Sequence, residues 1–289
     1  DFIITPGRLG KPANVKTYPE TNYISYLNNS RTVLQTNNIK KISIIRDWKN
    51  KKNNFTISGN LHPNAIPDTL RRNIENPSLY TGTIFKKLLK KYDVPVKQIS
   101  TLFTTKKGDQ IASHSSKGLL HSSKNLMNES DNLTAELFIK KIGSINNNQG
   151  NWENGLSKMK SFLNDSVGID TTRIRIADGS GLSRYNLVSA SDITQFLEWI
   201  FNSQYKKDFI SCLPNGGMKK GTMESRLNTA GDRIRVKTGG LSGVTNISGY
   251  IFSNKYGPIA FSILTSGYVG NSNPFRELQD NIILSILND

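Results

Sequence analysis

The stretch from Arg233 to Tyr250, RIRVKTGGLSGVTNISGY, decides the fold class. Its apolar residues alternate along the chain as in a half-buried strand, but Gly239 and Gly240 directly follow Lys237 and Thr238. Glycine weakens a strand interior, so the pattern has two interpretations. Either the strand ends in a turn here, or another backbone lies close against its edge and Lys237 serves whatever binds there.

Three strands joined by short turns follow one another in this region and predict an antiparallel meander. Their sequences are RIRVKTG, TNISGYIFSN and PIAFSILTSGYV. Apolar residues at helical spacing predict helices over residues 76–94, 130–143, 152–168 and 273–287, and one more after an N-cap at Ser191. Helices that flank an antiparallel sheet indicate an α+β domain.

The beginning of the chain has a different pattern. Residues 1–65 read as strands and turns, including a hairpin-like pair with the sequences KISIIRDW and NFTISGNL. Further along, the serine-rich stretch SHSSKGLLHSSKNLMNES is polar and separates two predicted helices. No apolar run reaches the roughly 18 residues of a membrane-spanning helix. The N-terminal residues show no basic-then-apolar leader, so Asp1 is expected to be a mature terminus or an internal starting point.

Composition narrows the function classes. The 289 residues are 36% apolar and 9% aromatic, enough for one large domain or one domain with an insertion. Lys and Arg number 38 against 22 Asp and Glu, a net charge of +16. The lysines lie in short scattered clusters among asparagines, which favours solvated faces. Only the net charge supports a nucleic-acid partner, so none is expected, while the basic surface leaves a peripheral contact with membrane or cell wall open.

Cysteine and histidine point away from disulfide and metal chemistry. Cys212 is the single cysteine, so no internal disulfide forms, and its apolar setting indicates a small core residue. His62, His114 and His121 have no partner at a zinc-ligand spacing, so we expect neither a metal nor a cofactor. The sequence also lacks a G-x-S-x-G nucleophile elbow and a phosphate-binding loop motif.

Two short motifs carry the chemistry. Ser130-Asp131-Asn132 stands at the start of a predicted helix, and Lys237-Thr238-Gly239 lies on a later predicted strand. Each tripeptide alone is weak, but together they are two of the three signatures of penicillin-binding proteins and class A β-lactamases. The longer strings that contain or separate them are ESDNLTAELFIKKIG, IADGSGLSRYNLVSA, FISCLPNGG and VKTGGLSGVTNISGYI. In these strings the chain resembles the D-alanyl-D-alanine carboxypeptidase/endopeptidase family of low-molecular-mass penicillin-binding proteins, the DacB-like branch, closely over about 125–270 and loosely before residue 50.

The resemblance implies the penicillin-binding-protein/β-lactamase-like transpeptidase fold. On that basis residues 1–65 are interpreted as the remnant of a β-rich insertion domain, and residues 66–289 as the C-terminal part of the D,D-peptidase domain. Enzymes of this kind cut or transfer the bond between two D-alanines through an acyl-enzyme on serine. The implied partners are a peptidoglycan stem peptide ending in D-Ala-D-Ala and β-lactam antibiotics. The implied location is the periplasm or another site outside the cytoplasm.

Three residues receive catalytic roles through the resemblance. Ser130 would relay a proton to the leaving amine, Asn132 would hydrogen-bond the substrate amide, and Lys237 would supply positive potential and favour proton transfer. The alternatives are structural. Ser130 could merely cap its helix, and Lys237 could be a solvated strand lysine.

Substrate binding is assigned in the same way. Thr238 would offer its hydroxyl to the substrate carboxylate, Gly239 would let substrate backbone pair with the strand, and the Gly240 N–H would be an oxyanion-hole donor. Arg184 either receives an anionic group of the stem peptide or braces a loop. Asp178 is expected to fix a turn rather than act as an acid.

The third signature, Ser-x-x-Lys, is expected before the Ser-Asp-Asn motif and is missing there. The matches are Ser157 to Lys160 and Ser203 to Lys206, and both follow that motif. We therefore expect that this chain alone forms no acyl-enzyme with penicillin. We also expect either a preceding segment or a truncated gene model, with core surface left exposed, or else repacking that deforms the site.

Two functions remain open from the sequence. The leading interpretation is a serine-type D-Ala-D-Ala carboxypeptidase/endopeptidase of cell-wall metabolism, incomplete as given. The alternative is a non-catalytic module that binds muropeptides in the same cleft. Peptide binding without acylation by penicillin would favour the module.

Overall fold

The computed structural model describes residues 1–34, 41–101 and 109–289, which form two compact units, Asp1–Ile111 and Ala112–Asp289. Within these described ranges no helix combines the length and hydrophobicity needed to cross a membrane. The second unit contains both sequence motifs, so it is the unit that positions the site.

The first unit is built from short strands and one helix. The strands are β1 Phe2–Thr5, β2 Asn14–Thr17, β3 Ser25–Asn28, β4 Arg31–Thr32, β5 Ser43–Arg46, β6 Asn54–Ser58, β7 Asn60–Leu61 and β8 Asp68–Leu70, and the helix is α1 Pro77–Lys90. They form the sheets β2-β1-β8, β3-β6-β5 and β4-β7. β5 and β6 pair antiparallel, which confirms the predicted hairpin, and alternate residues such as Phe55 and Ile57 are buried. That residues 1–65 derive from an insertion domain stays a prediction.

The second unit has one sheet and six helices among its described residues. The strands are β9 Ile234–Leu241, β10 Val244–Ser253 and β11 Gly257–Ser266, and the helices are α2 Leu119–Glu129, α3 Asn132–Gly143, α4 Trp152–Phe162, α5 Ala190–Asn202, α6 Lys206–Cys212 and α7 Asn273–Asn288. The sheet order is β11-β10-β9 with antiparallel pairing throughout, which confirms the predicted meander and leaves β9 as an edge strand.

Helices cover both faces of this sheet because its strands are apolar on both faces. Ile247 and Ile251 of β10 pack with Ile283 of α7 in one buried cluster. Tyr250, on the opposite face, packs with Leu197 of α5 and donates its hydroxyl to the Leu197 carbonyl at 2.7 Å. Successive residues of a strand point to opposite faces, so Val236, in the α7-side cluster, places Lys237 on the other face.

The predicted helices at 76–94, 130–143, 152–168 and 273–287 are confirmed as α1, α3, α4 and α7. After Phe162 the chain makes one wider turn over Leu163–Val167, and Gly168, with φ of 80°, ends it.

The predicted N-cap of α5 at Ser191 is wrong by two residues. The cap is Ser189, whose hydroxyl accepts from the Asp192 N–H at 3.1 Å while the Asp192 carboxylate accepts from the Ser189 N–H at 2.9 Å. This reciprocal pair satisfies two backbone donors, which a cap at Ser191 would not.

Two helices were not predicted from the sequence. α2 lies inside the serine-rich stretch and α6 is a seven-residue helix ending at Cys212. α2 has no buried residue, so its sequence lacks the strong apolar period that identifies a helix. Cys212 is buried, as predicted for a small core residue.

Candidate active site

The two sequence motifs meet at a hydrogen bond. Lys237 Nζ of β9 donates to Ser130 Oγ at 2.9 Å and to the Thr238 carbonyl at 2.7 Å. Ser130 lies between α2 and α3, with φ of 56° and ψ of 50°. A non-glycine residue in this left-handed region is uncommon and carries strain, a feature that clusters at functional sites.

The Ser130 hydroxyl does not cap the N-terminus of α3. The N-cap of α3 is Asp131, whose side chain accepts from the Leu133 N–H at 3.3 Å and from the Thr134 hydroxyl. Ser130 is the left-handed C-cap residue of α2, a position that uses its backbone N–H. Its hydroxyl is therefore not the cap of the following helix and is in contact with Lys237.

Lys237 is a poorly solvated amine rather than a surface lysine. Burial lowers its pKa from the ordinary value of 10.5 to about 8. Desolvation disfavours the charged form, and no carboxylate hydrogen-bonds to the ammonium among the described residues. The side chain is thus an ammonium at neutral pH that loses its proton more readily than an ordinary lysine.

The glycines of β9 are not required by the packing of the protein. A Cβ added to Gly239 would have no neighbour closer than 3.9 Å, and one added to Gly240 none closer than 3.7 Å. Both residues are exposed on the edge strand, and neither has positive φ. Alanine at either position would therefore fit within the fold. The absence of side chains at Gly239 and Gly240 instead leaves room beside the strand for another chain.

A cleft of roughly 380 Å³ lies along this edge. It is lined by Ser130, Thr222, Arg226, Thr238, Gly239, Gly240, Thr245 and Arg276. Among these residues there is no acid. Arg226 is paired with Asp280 at 2.6 Å, so Arg276 and the nearby Lys237 make the local charge positive. A positive, hydroxyl-lined cleft on an open strand edge suits an extended peptide with an anionic group.

Asn132 opens onto a different depression. It lines a cavity of roughly 510 Å³ with residues that include Glu136, Trp152 and Asp178. The structure thus brings Ser130, Lys237, Thr238, Gly239 and Gly240 together, whereas Asn132, though two residues from Ser130, is not among the residues that line their cleft.

Glu136 is a residue that the sequence analysis missed. Its carboxylate accepts from the Gly179 N–H at 3.2 Å, the Ser180 N–H at 2.9 Å and Trp152 Nε1 at 2.7 Å. Burial raises the pKa of Glu136, but hydrogen bonds from Ser180, Trp152 and Gly179 outweigh burial and hold the pKa below its ordinary value. Glu136 therefore ties the DGSG loop to α3 as a carboxylate. In the sequence Glu136 occupies an ordinary polar position of a helix, so nothing there predicted its contact with the DGSG loop.

Asp178 and Arg184 both hold loops. The Asp178 carboxylate accepts from the N–H groups of Gly181 and Ser183 at 2.8 and 2.6 Å, which confirms the predicted turn-fixing role. Arg184 donates to the Ser242 carbonyl at 2.7 Å, at the turn between β9 and β10. That contact supports the bracing interpretation of Arg184, and its proposed contact with substrate stays a prediction.

Comparison with known proteins shows which family the chain belongs to. Residues 2–284 match the model of the D-Ala-D-Ala carboxypeptidase 3 (S13) family. The chain belongs to this family. The resemblance predicted from the Ser-Asp-Asn and Lys-Thr-Gly strings is thereby confirmed, and the family is one of serine D-Ala-D-Ala carboxypeptidases that act on the cell wall.

Individual relatives of the S13 chain support the same assignment. It is 29% identical over 280 residues to a D-alanyl-D-alanine carboxypeptidase of Actinomadura sp. (strain R39), covering 93% of this chain and 51% of that protein. The crystal structure of Haemophilus influenzae penicillin binding protein 4 (dacB) matches with a TM-score of 0.79 at 21% identity, covering 99% of this chain and 65% of that one. The same protein complexed with a novel β-lactam matches at 0.77 and 22%, covering 99% and 68%. These structures confirm the predicted α+β penicillin-binding-protein fold.

The S13 chain spans about half the length of the curated relatives it matches. Neither of its Ser-x-x-Lys matches lies at the cleft. Ser157 is exposed on α4, and the Ser203 hydroxyl donates to the Ile200 carbonyl at 2.8 Å at the end of α5. Three leucines of α3 and the DGSG loop are exposed: Leu133, Leu137 and Leu182 are 67%, 54% and 52% exposed. That a missing segment covers them stays a prediction.

Proposed function

We propose that this chain provides the peptide-binding and proton-transfer side of a serine-type D-Ala-D-Ala carboxypeptidase/endopeptidase site. Its substrate would be a peptidoglycan stem peptide ending in D-Ala-D-Ala, with β-lactams as mimics, in the periplasm or elsewhere outside the cytoplasm. The observation that carries the proposal is the contact between Lys237 and Ser130 at the open glycine edge of β9.

The proposed proton path uses the two groups in contact. An acyl-transfer reaction must deliver a proton to the leaving amine, and a hydroxyl can accept one proton and give up another. Ser130 would do this while the Lys237 ammonium, 2.9 Å away, stabilises the oxygen. Because the pKa of Lys237 is about 8, it lies close enough to neutrality for proton transfer to be easy in either direction.

The proposed binding mode adds the peptide to the sheet as a strand. β9 is the outermost strand, so its free edge can pair with an extended backbone, and Gly239 removes the side chain that would clash. The Gly240 N–H would donate to the developing oxyanion, an interaction worth roughly 3 kcal/mol of barrier. Thr238 would bind the terminal carboxylate, and Asn132 and Arg184 would contact the peptide beyond the cleft.

The first test separates binding from acylation. Because no Ser-x-x-Lys serine lies at the cleft, we expect the 289-residue chain to bind a fluorescent penicillin under native conditions without retaining label after denaturation. The bound penicillin should be displaced by N-acetyl-D-Ala-D-Ala. A serine found labelled by mass spectrometry would contradict the missing nucleophile, and the absence of native binding would contradict the proposed function.

The binding of a free carboxylate should depend on pH through Lys237. The ammonium form attracts the anion, and with a pKa of about 8 it falls to roughly one tenth of the molecules at pH 9. We expect the affinity for N-acetyl-D-Ala-D-Ala, measured by NMR titration, to fall about tenfold from pH 7 to pH 9. The C-terminal amide of the same peptide should show a flatter profile, and Lys237→Arg, which stays charged, should remove the fall. Equal profiles for acid and amide would contradict the role of the ammonium.

A non-catalytic muropeptide-binding module is the second candidate, because the same cleft could bind the peptide without acylation. Expression from the complete reading frame separates the two candidates. An enzyme releases D-alanine from the peptide and is acylated by penicillin, whereas a module binds the peptide and does neither.

A further inference from the structure

An exposed tryptophan lies at the turn of the β5–β6 hairpin, in a segment we call the Trp48 tip, residues 48–52. Trp48 is 63% exposed, and Lys49 Nζ lies 5.9 Å from the centre of its ring. The backbone of the turn is held, because the Lys51 N–H donates to the Trp48 carbonyl at 3.2 Å and the Lys52 N–H donates to the Asp47 carbonyl at 3.1 Å. An ordered turn therefore keeps a large indole ring in solvent.

The outer face of the sheet β3-β6-β5 adds further apolar surface to the same hairpin. Leu27 and Ile45 both lie opposite Thr56 in the strand register, so the three side chains form one row on one face. Leu27 and Ile45 are more than half exposed, whereas Phe55, on the other face, is buried. A single exposed apolar residue would need no explanation, but a tryptophan and two aliphatic residues on one small sheet indicate an interaction surface.

The Trp48 tip is also strongly basic. Lys49, Lys51 and Lys52 are all exposed. The acid that precedes the tip, Asp47, is already engaged, because both of its carboxylate oxygens accept from the Asn50 amide at 3.0 Å. Three lysine charges therefore surround the indole ring at the end of the hairpin.

The charge of the tip belongs to a wider asymmetry between the two units. Residues 1–111 contain 19 Lys and Arg against 7 Asp and Glu, a net charge of +12 out of the +16 of the whole chain. The second unit, with 19 basic and 15 acidic residues, carries only +4. The first unit is thus the part of the chain that an anionic surface attracts.

We propose that the first unit docks onto the surface of an anionic phospholipid bilayer through the Trp48 tip. The indole ring would enter the interface between head groups and acyl chains, where tryptophan is enriched, while the three lysines of the tip contact the phosphates. The inference is independent of the proposed peptidase function. It gives the first unit a role of its own, which is to hold the chain at a membrane surface.

The combination of groups favours a bilayer over two other partners. A soluble phosphate polymer would pair with the lysines but would leave Trp48 and the row of Leu27 and Ile45 in water. A neutral glycan could stack on Trp48 but would gain nothing from the lysines. Only a surface with both anionic charge and an apolar interior uses both features of the hairpin.

The test measures binding of the 289-residue chain to lipid vesicles by co-sedimentation. One set of vesicles contains phosphatidylglycerol and phosphatidylcholine in equal parts, and the other contains phosphatidylcholine alone. The variants are Trp48→Ala and a tip triple variant with Lys49→Gln, Lys51→Gln and Lys52→Gln. The matched control removes the same charge from exposed lysines of the second unit, through Lys117→Gln, Lys207→Gln and Lys255→Gln. Because every substituted side chain is exposed, the fold should be retained, which far-UV circular dichroism checks.

We expect the wild type to bind the anionic vesicles at least about tenfold more tightly than the neutral ones. Trp48→Ala should lower the affinity for anionic vesicles about tenfold, because the apolar part of the contact is lost. The tip triple variant should lower it about a hundredfold, since each lysine near an anionic surface contributes about a factor of five. The control triple variant should stay within about twofold of the wild type.

Three results would overturn the proposal. Equal affinity of Trp48→Ala and the wild type would show that the indole ring does not enter the bilayer. Equal losses in the two triple variants would show that net charge, and not the tip, is responsible. Binding of the wild type to immobilised polyphosphate without binding to anionic vesicles would assign the lysines to a soluble polymer. None of these results bears on the binding of N-acetyl-D-Ala-D-Ala, which tests the proposed function separately.

Discussion

Lys237→Met is expected to weaken the binding of N-acetyl-D-Ala-D-Ala by about a hundredfold while making the protein more stable. The ammonium contacts Ser130 at the cleft, so its removal deletes a positive charge beside the proposed peptide site, an effect of about 3 kcal/mol for a poorly solvated group. Methionine keeps the length and apolar stem of lysine, so the packing changes little. The affinity is measured by NMR titration at pH 7.

The gain in the free energy of unfolding depends on pH. The pKa of Lys237, about 8, is below its ordinary value of 10.5, so the native state pays to bury the ammonium at neutral pH. Between pH 8 and 10.5 the native state holds fewer protons than the unfolded state, so wild-type stability should rise with pH. Lys237→Met should be more stable at pH 7 by on the order of 1–2 kcal/mol and should lack that rise.

Arg235→Met is the matched control for this pair of effects. Arg235 lies two residues earlier on β9, carries the same charge and pairs with the exposed Asp232 at 2.9 Å. Its replacement should change both affinity and stability by less than about 1 kcal/mol, because exposed ion pairs contribute little. If the two variants lost affinity equally, the net charge of the region rather than the Lys237–Ser130 contact would be responsible.

Gly155→Ala is expected to destabilise the second unit by about 3 kcal/mol, because overpacking at a close helix contact cannot relax. A Cβ on Gly155 of α4 would lie 2.1 Å from the Ile139 carbonyl oxygen and 2.6 Å from Ile139 Cγ2 on α3. The contact is backbone against backbone, and Ile139 is buried. The helix α3 begins at Asn132, so this packing also supports the segment that presents Ser130.

The measurement is urea unfolding followed by tryptophan fluorescence. Trp152 and Trp199 lie in the second unit, and a Trp48→Phe background removes the signal of the first. Gly239→Ala is the matched control, because its Cβ meets nothing closer than 3.9 Å, and its stability should match the wild type within about 0.5 kcal/mol. If Gly155→Ala and Gly239→Ala lost the same free energy of unfolding, the close contact between α3 and α4 would not explain the destabilisation.

Local sequence pattern was sufficient to predict most of the strands and helices. The alternation in the stretch from Arg233 to Tyr250 predicted the strands, because alternate residues of a half-buried strand face the core and this period of two is visible in the sequence. Failures occurred where the period is absent or the cap is ambiguous. α2 buries none of its residues, and the choice between Ser189 and Ser191 depends on which hydroxyl Asp192 reaches.

What the sequence alone determined is the set of chemical groups and their local setting. The Ser-Asp-Asn motif stands at the start of a helix, and the Lys-Thr-Gly motif lies on a strand whose glycines leave the edge of β9 bare. The tertiary structure decided which groups meet. Ser130 and Lys237 are 107 positions apart and touch, Asn132 opens onto a separate depression, and Arg276 reaches Gly240 only because α7 is pinned to the sheet. The physical reason is that burial periods are local, whereas distances across the chain depend on how the helices pack on the sheet.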